Sequence, residues 1–193
     1  MAVTVGDRIQ SVIDHMEKGE IELALSDVCI AIDVTSQKLY GEKSSASCYK
    51  RFLKDNMWII IVTGMGSLIS ESIKIPFQHE DIKSDDQGYC TLEQIVYHVM
   101  RCGLIHGTGE DSKIIWNYRI PLALDPHGYL NLSPSFIWGL VLSVVVCEVN
   151  EHEKVGDTCW ISTASFKYLT NDLWGKRESV RNIIKSQFNV IVE

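Results

Sequence analysis

The sequence contains no apolar run long enough to cross a lipid bilayer. The longest run, residues 136–147, covers 12 residues and is interrupted by Gly139 and Ser143, whereas a membrane-spanning helix needs about 20 apolar residues. The first seven residues, Met-Ala-Val-Thr-Val-Gly-Asp, also lack the basic segment and the apolar core of a signal peptide. We therefore expect a cytoplasmic protein without a membrane partner.

Several short motifs of enzymes and metal proteins are also missing. The six cysteines include no C-x-x-C pair, and in a chain without an export signal they are expected to be reduced, mostly buried thiols. The chain has neither the G-x-x-x-x-G-K-[ST] phosphate loop nor the G-x-S-x-G motif of a serine nucleophile. These absences argue against a P-loop nucleotide hydrolase and against a serine or cysteine nucleophile.

Positive charge is scarce in this chain. It has 18 lysine and arginine residues against 25 aspartate and glutamate residues, a net charge of −7. Proteins that bind nucleic acids through many phosphate contacts are usually basic, so only a small local basic site is expected here. The 193 residues are 46% hydrophobic, enough for one core. No repeat or long linker divides the chain, so we predict a single domain over residues 1–193.

The most informative segment is a predicted helix over residues 91–107. It begins with a capping box, in which the side chains of Thr91 and Gln94 accept hydrogen bonds from each other's backbone N–H groups. Gly107 follows the last periodic residue, where helices commonly end. Near its end the helix carries Arg101 and His106, with four residues between them. Apolar or small residues form one stripe at helical spacing: Leu92, Ile95, Val96, Val99, Met100, Gly103 and Leu104.

The segment Arg101-Cys-Gly-Leu-Ile-His106-Gly107 resembles the R-x4-6-H signature of the HEPN superfamily, helical-bundle proteins of prokaryotic toxin and defence systems. In active members the arginine and the histidine form the catalytic pair of a metal-independent ribonuclease, usually at a dimer cleft. The resemblance therefore implies that Arg101 and His106 are catalytic and that no cofactor is needed. It implies three partners: RNA, a second copy of the chain and a cognate antitoxin.

Two further residues accompany this pair as supporting residues. Asp33 lies beside the apolar stripe of an earlier helix and is either a solvated carboxylate or a partner for Arg101; an acidic residue there is similar to what related sequences carry. Cys102, the second residue, departs from the polar Asn or Asp that active members often have there, and this departure weakens the catalytic interpretation. Arg101 can hold a phosphate in its donor fork, and a helix C-terminus favours the protonated form of His106. The structural alternative places Arg101 in an interhelical salt bridge.

The geometry of a regular helix sets a condition on this site. Five positions separate Arg101 and His106 by about 140° around the axis, so the helix must loosen or a second copy must supply the complementary group. His98, Cys102 and His106 recur every four residues and would lie in a row. This row suggests a zinc site as an alternative, although a structural site needs four ligands and no fourth is evident.

The remaining pattern predicts an all-α, HEPN-like helical bundle with a small β-hairpin at about residues 113–132. Asp125-Pro-His-Gly128 is the expected hairpin turn, and residues 76–90 are expected to form a surface loop. Residues 134–149 are apolar on every face, so this helix must be central or covered by a second subunit. Further helices are predicted over residues 7–17, 20–40, about 47–63, 162–174 and 176–188.

Together these features predict a metal-independent endoribonuclease of a toxin–antitoxin or defence system, with Arg101 and His106 at a dimer cleft. RNA is the expected substrate because cleavage without a metal would use the 2′-hydroxyl as nucleophile. The alternative is a noncatalytic HEPN-like binding or assembly module that kept the fold and lost the chemistry.

Overall fold

Three long and three shorter helices dominate the computed structural model, which describes residues 3–66, 73–103, 113–162 and 167–188. A π-helical turn, Val96–Cys102, continues the fourth helix, and short 3₁₀ turns cover Glu148–Asn150 and Thr170–Asp172. The helices are α1 (Val5–Lys18), α2 (Ile21–Tyr40), α3 (Ser45–Met65), α4 (Leu92–Ile95), α5 (Ser135–Val145) and α6 (Arg177–Phe188).

Local capping signals fix the ends of the first three helices. The Thr4 side chain accepts from the backbone N–H of Asp7, whose carboxylate accepts in return from the N–H of Thr4, as in other capping boxes. Helix α2 ends at Gly41, which has a φ of 60°, a conformation that glycine adopts without steric cost. The Ser44 side chain caps α3. The predictions of helices over 7–17, 20–40 and about 47–63 are thus confirmed.

Helix α5 crosses α3 at very short range in the centre of the bundle. A Cβ added to Gly139 would collide with the carbonyl oxygen of Ile60, and one added to Gly64 would lie 2.7 Å from the Cα of Phe136. Helix α5 also packs on α2. Nine of its eleven residues are buried within this one chain, so burying the helix requires no second subunit. It also ends at Val145, short of the predicted 149.

Seven short strands form three small sheets in the described part of the chain. One sheet pairs β1 (Lys74–Ile75) with β2 (Cys90–Thr91). The second has the order β3-β5-β4, in which β5 (Leu130–Leu132) is antiparallel to β4 (Leu122–Leu124) and parallel to β3 (Ile114–Trp116). The predicted hairpin is therefore present as β4–β5, with a third strand added. The last sheet pairs β6 (Trp160–Ser162) with β7 (Lys167–Leu169).

The prediction of an all-α fold is wrong, because the helical bundle carries these three sheets and the architecture is mixed α and β. The predicted helix over 162–174 is replaced by β6, β7 and the 3₁₀ turn Thr170–Asp172. Its apolar spacing suggested a helical stripe, but Ile161 is buried while Trp160 and Ser162 are exposed, which is the alternation of a strand. Pairing with β7 decided the local structure, and short segments are often decided in this way by tertiary contacts.

The segment 76–90 is anchored to the core and is more than a surface loop. Phe77 and Ile82 are buried in the hydrophobic core, and the carbonyl oxygens of Ile75 and Phe77 accept from the thiol of Cys90. All six cysteines of the chain are free thiols, five of them buried. Within the described ranges, no helix has the length and apolar character needed to span a membrane.

Candidate functional site

The helix that carries Arg101 begins as predicted and then changes its winding. The backbone N–H of Thr91 donates to the Gln94 side chain at 2.8 Å, and the N–H of Gln94 donates to Thr91 Oγ1 at 3.4 Å. After four α-helical residues the chain continues as the π-helical turn Val96–Cys102. Such turns are rare, and they occur frequently at functional sites.

The π-turn does not test the predicted separation of the two signature residues. It ends at Cys102 and Gly103 is again α-helical, so the value of about 140° between Arg101 and His106, which holds for a regular α-helix, stays a prediction. His106 and the predicted stop at Gly107 lie outside the described residues. The described half of the signature is therefore Arg101 and its surroundings.

Arg101 forms an ion pair with Asp33 of α2, the partner that the sequence offered as one of two alternatives. The Arg101 Nη2 donates to Asp33 Oδ2 at 3.2 Å, and the two side chains are 16% and 31% exposed. Burial alone would lower the pKa of Arg101, but the hydrogen bond and the charge of Asp33, together with Cys102 and Tyr97, outweigh it and the pKa is raised. Arg101 is thus a fixed cation, held in one orientation by a carboxylate on another helix.

Two tyrosine rings enclose the guanidinium group. The Arg101 Cζ lies 5.3 Å from the ring centroid of Tyr97 and 5.5 Å from that of Tyr49, and the two rings meet edge to face. The Arg101 side chain between these rings is mostly buried. The tyrosines were missed, although the position of Tyr97 four residues before Arg101 is a spacing at which helical side chains contact.

The polar atoms around this ion pair are incompletely satisfied. Arg101 Nε, Asp33 Oδ1 and the Tyr49 hydroxyl are buried and have no partner of hydrogen-bond geometry among the described residues. The Tyr49 hydroxyl lies beside Cys29, and burial raises the pKa of that thiol to about 12. Cys102 is half-buried, and its Sγ accepts a long contact of 3.8 Å from Arg101 Nη1. Unsatisfied buried polar atoms are costly, so this region is polar at the expense of stability.

A second cation lies against Tyr97. The Nζ of Lys50, from α3, is 4.6 Å from the ring centroid, and the ring of His98 meets Tyr97 edge-on at 4.9 Å. Burial, and next the charge of Lys50, lower the pKa of His98. Sequence analysis did not single out Lys50, because nothing in the spacing of α3 connects it with the distant signature.

The row His98, Cys102 and His106, the alternative metal site, receives no support from the described residues. Within the described ranges, no group of three or more His, Cys, Asp or Glu side chains is arranged to hold a metal ion. The π-turn also breaks the regular four-residue register on which the row depended. His106 lies outside the described part, so its place in such a row stays a prediction.

A cavity of about 610 Å³ lies away from Arg101, at the start of α6. It is lined by charged and polar groups that already contact one another: the Tyr40 hydroxyl donates to Asp55 at 2.8 Å, and Arg177 donates to Asn56 and to the carbonyl oxygen of Asp55. These contacts join α2, α3 and α6. They explain the polar lining of the cavity as an interhelical network.

Comparison with known proteins identifies the family. Uncharacterized protein Rv1289 of Mycobacterium tuberculosis is 21% identical to this chain over 191 residues, covering 95% of this chain and 89% of that protein. Uncharacterized protein Mb1320 of Mycobacterium bovis shows the same identity and coverage. No solved structure matches the chain. A family model described as Rv1289 matches residues 4–193, and the chain therefore belongs to the Rv1289 family.

Proposed function

We propose that the chain is a cytoplasmic, metal-independent endoribonuclease of a toxin–antitoxin or defence system that acts as a HEPN-like homodimer. Arg101 binds the scissile phosphate and His106 protonates the leaving oxygen. The observation that supports the proposal most directly is the 3.2 Å ion pair between Arg101 and Asp33. A carboxylate on a separate helix fixes the guanidinium in the way that a phosphate-binding arginine requires.

The guanidinium keeps donors for such a ligand. In the described part, Nη2 makes one hydrogen bond to Asp33 and Nη1 makes one long contact to Cys102. Each of these nitrogens carries two N–H groups, so one on each is left for phosphate oxygens. An arginine fork of this kind is suited to binding a phosphate through two oxygens.

The chemistry follows from an RNA substrate. The 2′-oxygen attacks the phosphorus and loses its proton to water, while Arg101 stabilises the charge that develops on the phosphoryl oxygens. The bond from phosphorus to the 5′-oxygen breaks, and His106 donates a proton to that oxygen. The products are a 2′,3′-cyclic phosphate and a 5′-hydroxyl. DNA lacks the nucleophile and is not cleaved.

The test uses single-stranded RNA, a matched 2′-deoxy oligonucleotide, and protein whose dimeric state is confirmed by light scattering. We expect cleavage of the RNA alone, at a rate unchanged by EDTA. His106→Ala should lower the rate by on the order of 10²–10⁴. His152→Ala is the matched control, since the His152 side chain is 94% exposed. A strict monomer at micromolar concentration contradicts the dimer cleft, and cleavage that EDTA abolishes contradicts the metal-independent mechanism.

A second candidate function is a noncatalytic HEPN-like binding or assembly module. It is favoured by a specific observation, the low exposure of Arg101 at 16% between the rings of Tyr49 and Tyr97. In this case Arg101 joins α2, α3 and the π-turn and has no ligand. Wild-type dimer that cuts no RNA, together with a large loss of stability in Arg101→Ala, would support the module and contradict the ribonuclease.

A further inference from the structure

The ring of Tyr97 contacts two cations that come from different parts of the chain. Lys50 Nζ lies 4.6 Å and Arg101 Cζ lies 5.3 Å from the ring centroid. Cations are attracted to the electron-rich face of an aromatic ring, so the ring holds both groups close to each other despite their like charge. Arg101 is the residue assigned above to the phosphate, and Lys50 has no assigned role.

Lys50 differs from neighbouring cations in its partners. Arg51, the next residue on α3, is paired with Glu42 at 3.0 Å, and Lys74 is paired with Asp85 at 2.9 Å. Among the described residues, Lys50 has no carboxylate within ion-pair distance. In a chain with a net charge of −7, an uncompensated ammonium beside the Arg101 site marks a small basic surface within an acidic protein.

The charged groups of the described residues around Tyr97 and His98 include two carboxylates. Asp33 is paired with Arg101 at 3.2 Å, and Asp81 lies 3.9 Å from the Nδ1 of His79. The charges of Lys50, Asp81 and His79 all act on His98. Because neither carboxylate forms an ion pair with Lys50 in the described part of the chain, its ammonium is available to an anionic ligand.

We propose that Lys50 is a second phosphate-binding residue of the RNA site, which binds a phosphate of the same strand that Arg101 engages, with Tyr97 as the spacer between the two cations. The proposal rests on the proposed function, because that function makes RNA the ligand. A lysine ammonium is a point charge that binds phosphate without reading bases. Lys50 should therefore contribute affinity and salt dependence, equally for all sequences.

The experiment measures binding of a fluorescently labelled single-stranded RNA by anisotropy over a range of salt concentrations. Lys50→Gln should weaken binding roughly fivefold near 0.15 M salt and reduce the slope of log K against log salt by about 0.7, as expected for one lost phosphate contact on a single strand. Lys50→Arg keeps the positive charge and should retain most of the wild-type affinity and salt slope. Lys18→Gln removes one exposed charge on α1 and should leave the slope unchanged.

The spacer role of Tyr97 has its own variants. Tyr97→Phe keeps the ring and should bind RNA like wild type, whereas Tyr97→Leu releases both cations and should weaken binding at least as much as Lys50→Gln. Thermal unfolding of each variant shows whether it is folded. If Tyr97→Leu does not fold, the comparison of Lys50→Gln with Lys50→Arg decides the proposal without it.

The outcomes separate this proposal from the ribonuclease. If wild type cleaves RNA and Lys50→Gln keeps the wild-type affinity and salt slope, the proposed phosphate-binding role of Lys50 is wrong, and the proposed ribonuclease activity is supported. An equal loss in Lys18→Gln also overturns it, since the effect would then be one of net charge. If wild type binds RNA in a Lys50-dependent way but cuts nothing, the ribonuclease fails and Lys50 is confirmed. Absence of RNA binding by wild type overturns both.

Discussion

Two buried regions of this protein are built on opposite principles. At the crossing of α3 and α5, Gly64 and Gly139 bring two backbones together with no room for a Cβ, and most of the surrounding side chains are apolar, with Thr63 and Ser143 as buried polar exceptions. Around the π-turn, a carboxylate, a guanidinium and a tyrosine hydroxyl are enclosed together, and each has a polar atom without a hydrogen-bond partner among the described residues.

From this difference we infer which region stabilises the fold and in which region a function is expected. Close-packed apolar contacts tolerate little change in volume, so the crossing of α3 and α5 accounts for the fold. Buried polar groups that are only partly satisfied reduce stability and persist where another role maintains them. The surroundings of Arg101 are therefore the region in which a function is expected. The predictions below test this division.

The largest effect is expected for Gly139→Val. The added side chain meets the backbone of Ile60, which cannot move without displacing α3, so we expect a loss of about 3 kcal/mol or more in the free energy of unfolding. Chemical denaturation followed by circular dichroism measures it.

Gly103→Ala is the corresponding glycine substitution in the region around the π-turn. No atom of the described chain lies within 4 Å of a Cβ built at Gly103, and its backbone is right-handed helical. Alanine is favoured over glycine there by roughly 0.5–1 kcal/mol, so stability should be equal or slightly higher. A loss in Gly103→Ala as large as that in Gly139→Val would end the distinction between the two regions.

The next prediction distinguishes a structural role of Arg101 from a catalytic one. Arg101→Ala leaves Asp33 partly buried without its cation, and we expect a loss of about 2 kcal/mol, less than for a fully buried pair because Asp33 is 31% exposed. Arg51→Ala is the control, since its pair with Glu42 is at the surface and exposed ion pairs contribute little to stability.

A double variant sharpens this result. Arg101→Met combined with Asp33→Asn removes both charges while roughly keeping the volume, and such replacements are often neutral. The double variant should therefore recover much of the stability that Arg101→Ala loses. If it is no more stable than Arg101→Ala, the contacts of Arg101 with Tyr49 and Tyr97 contribute more than its ion pair with Asp33.

The sequence predicted the features that depend on a few neighbouring residues. The capping box of Thr91 and Gln94, the helices over 7–17 and 20–40 and the turn at Asp125–Gly128 are local, and each is present. The pairing of β6 with β7 depends on residues that contact only after folding, and the apolar spacing that predicted a helix over 162–174 was misleading. The predicted helix is present through Gly103, and no local pattern in the sequence indicated that residues 96–102 wind as a π-turn.

The candidate site was predicted in part for the same reason. Arg101 was found from a short motif, and Asp33 from its place beside an apolar stripe. Tyr49 and Lys50 lie on α3, roughly 50 residues before Arg101 in the sequence, and only the packing of α3 against the π-turn brings them to it. No local pattern encodes such a contact.

A smaller effect is expected for Asp33→Asn, measured on rate and stability together. Asparagine keeps the size of the side chain and can still accept a hydrogen bond from Arg101, so stability should change by less than about 1 kcal/mol. If Asp33 orients a phosphate-binding Arg101, the RNA cleavage rate should fall about tenfold. Asp27→Asn is the matched control, because Asp27 is also on α2 and pairs with Arg8 at 2.7 Å. A loss of stability without a change in rate would show that Asp33 stabilises the fold and does not orient Arg101 for cleavage.

The smallest effect is expected in the pH dependence of stability that arises from His98, which contacts Tyr97 and is influenced by the charge of Lys50. Burial, and next the charge of Lys50, lower the pKa of His98 below its ordinary value of 6.5, so the unfolded chain binds this proton at a higher pH than the folded one. The stability that neutral His98 preserves is fully present above pH 6.5 and is lost as the pH falls through the lower folded value. His98→Gln should therefore lose less stability than wild type between pH 7 and pH 5, as measured by denaturation at each pH, and the exposed His152→Gln should follow wild type.

Lys50 and His79 oppose protonation of His98, whereas Asp81 favours it. If His98→Gln instead loses more stability on acidification, Asp81 outweighs Lys50 at this position, and the surface beside Tyr97 is then not the basic one that an RNA strand requires.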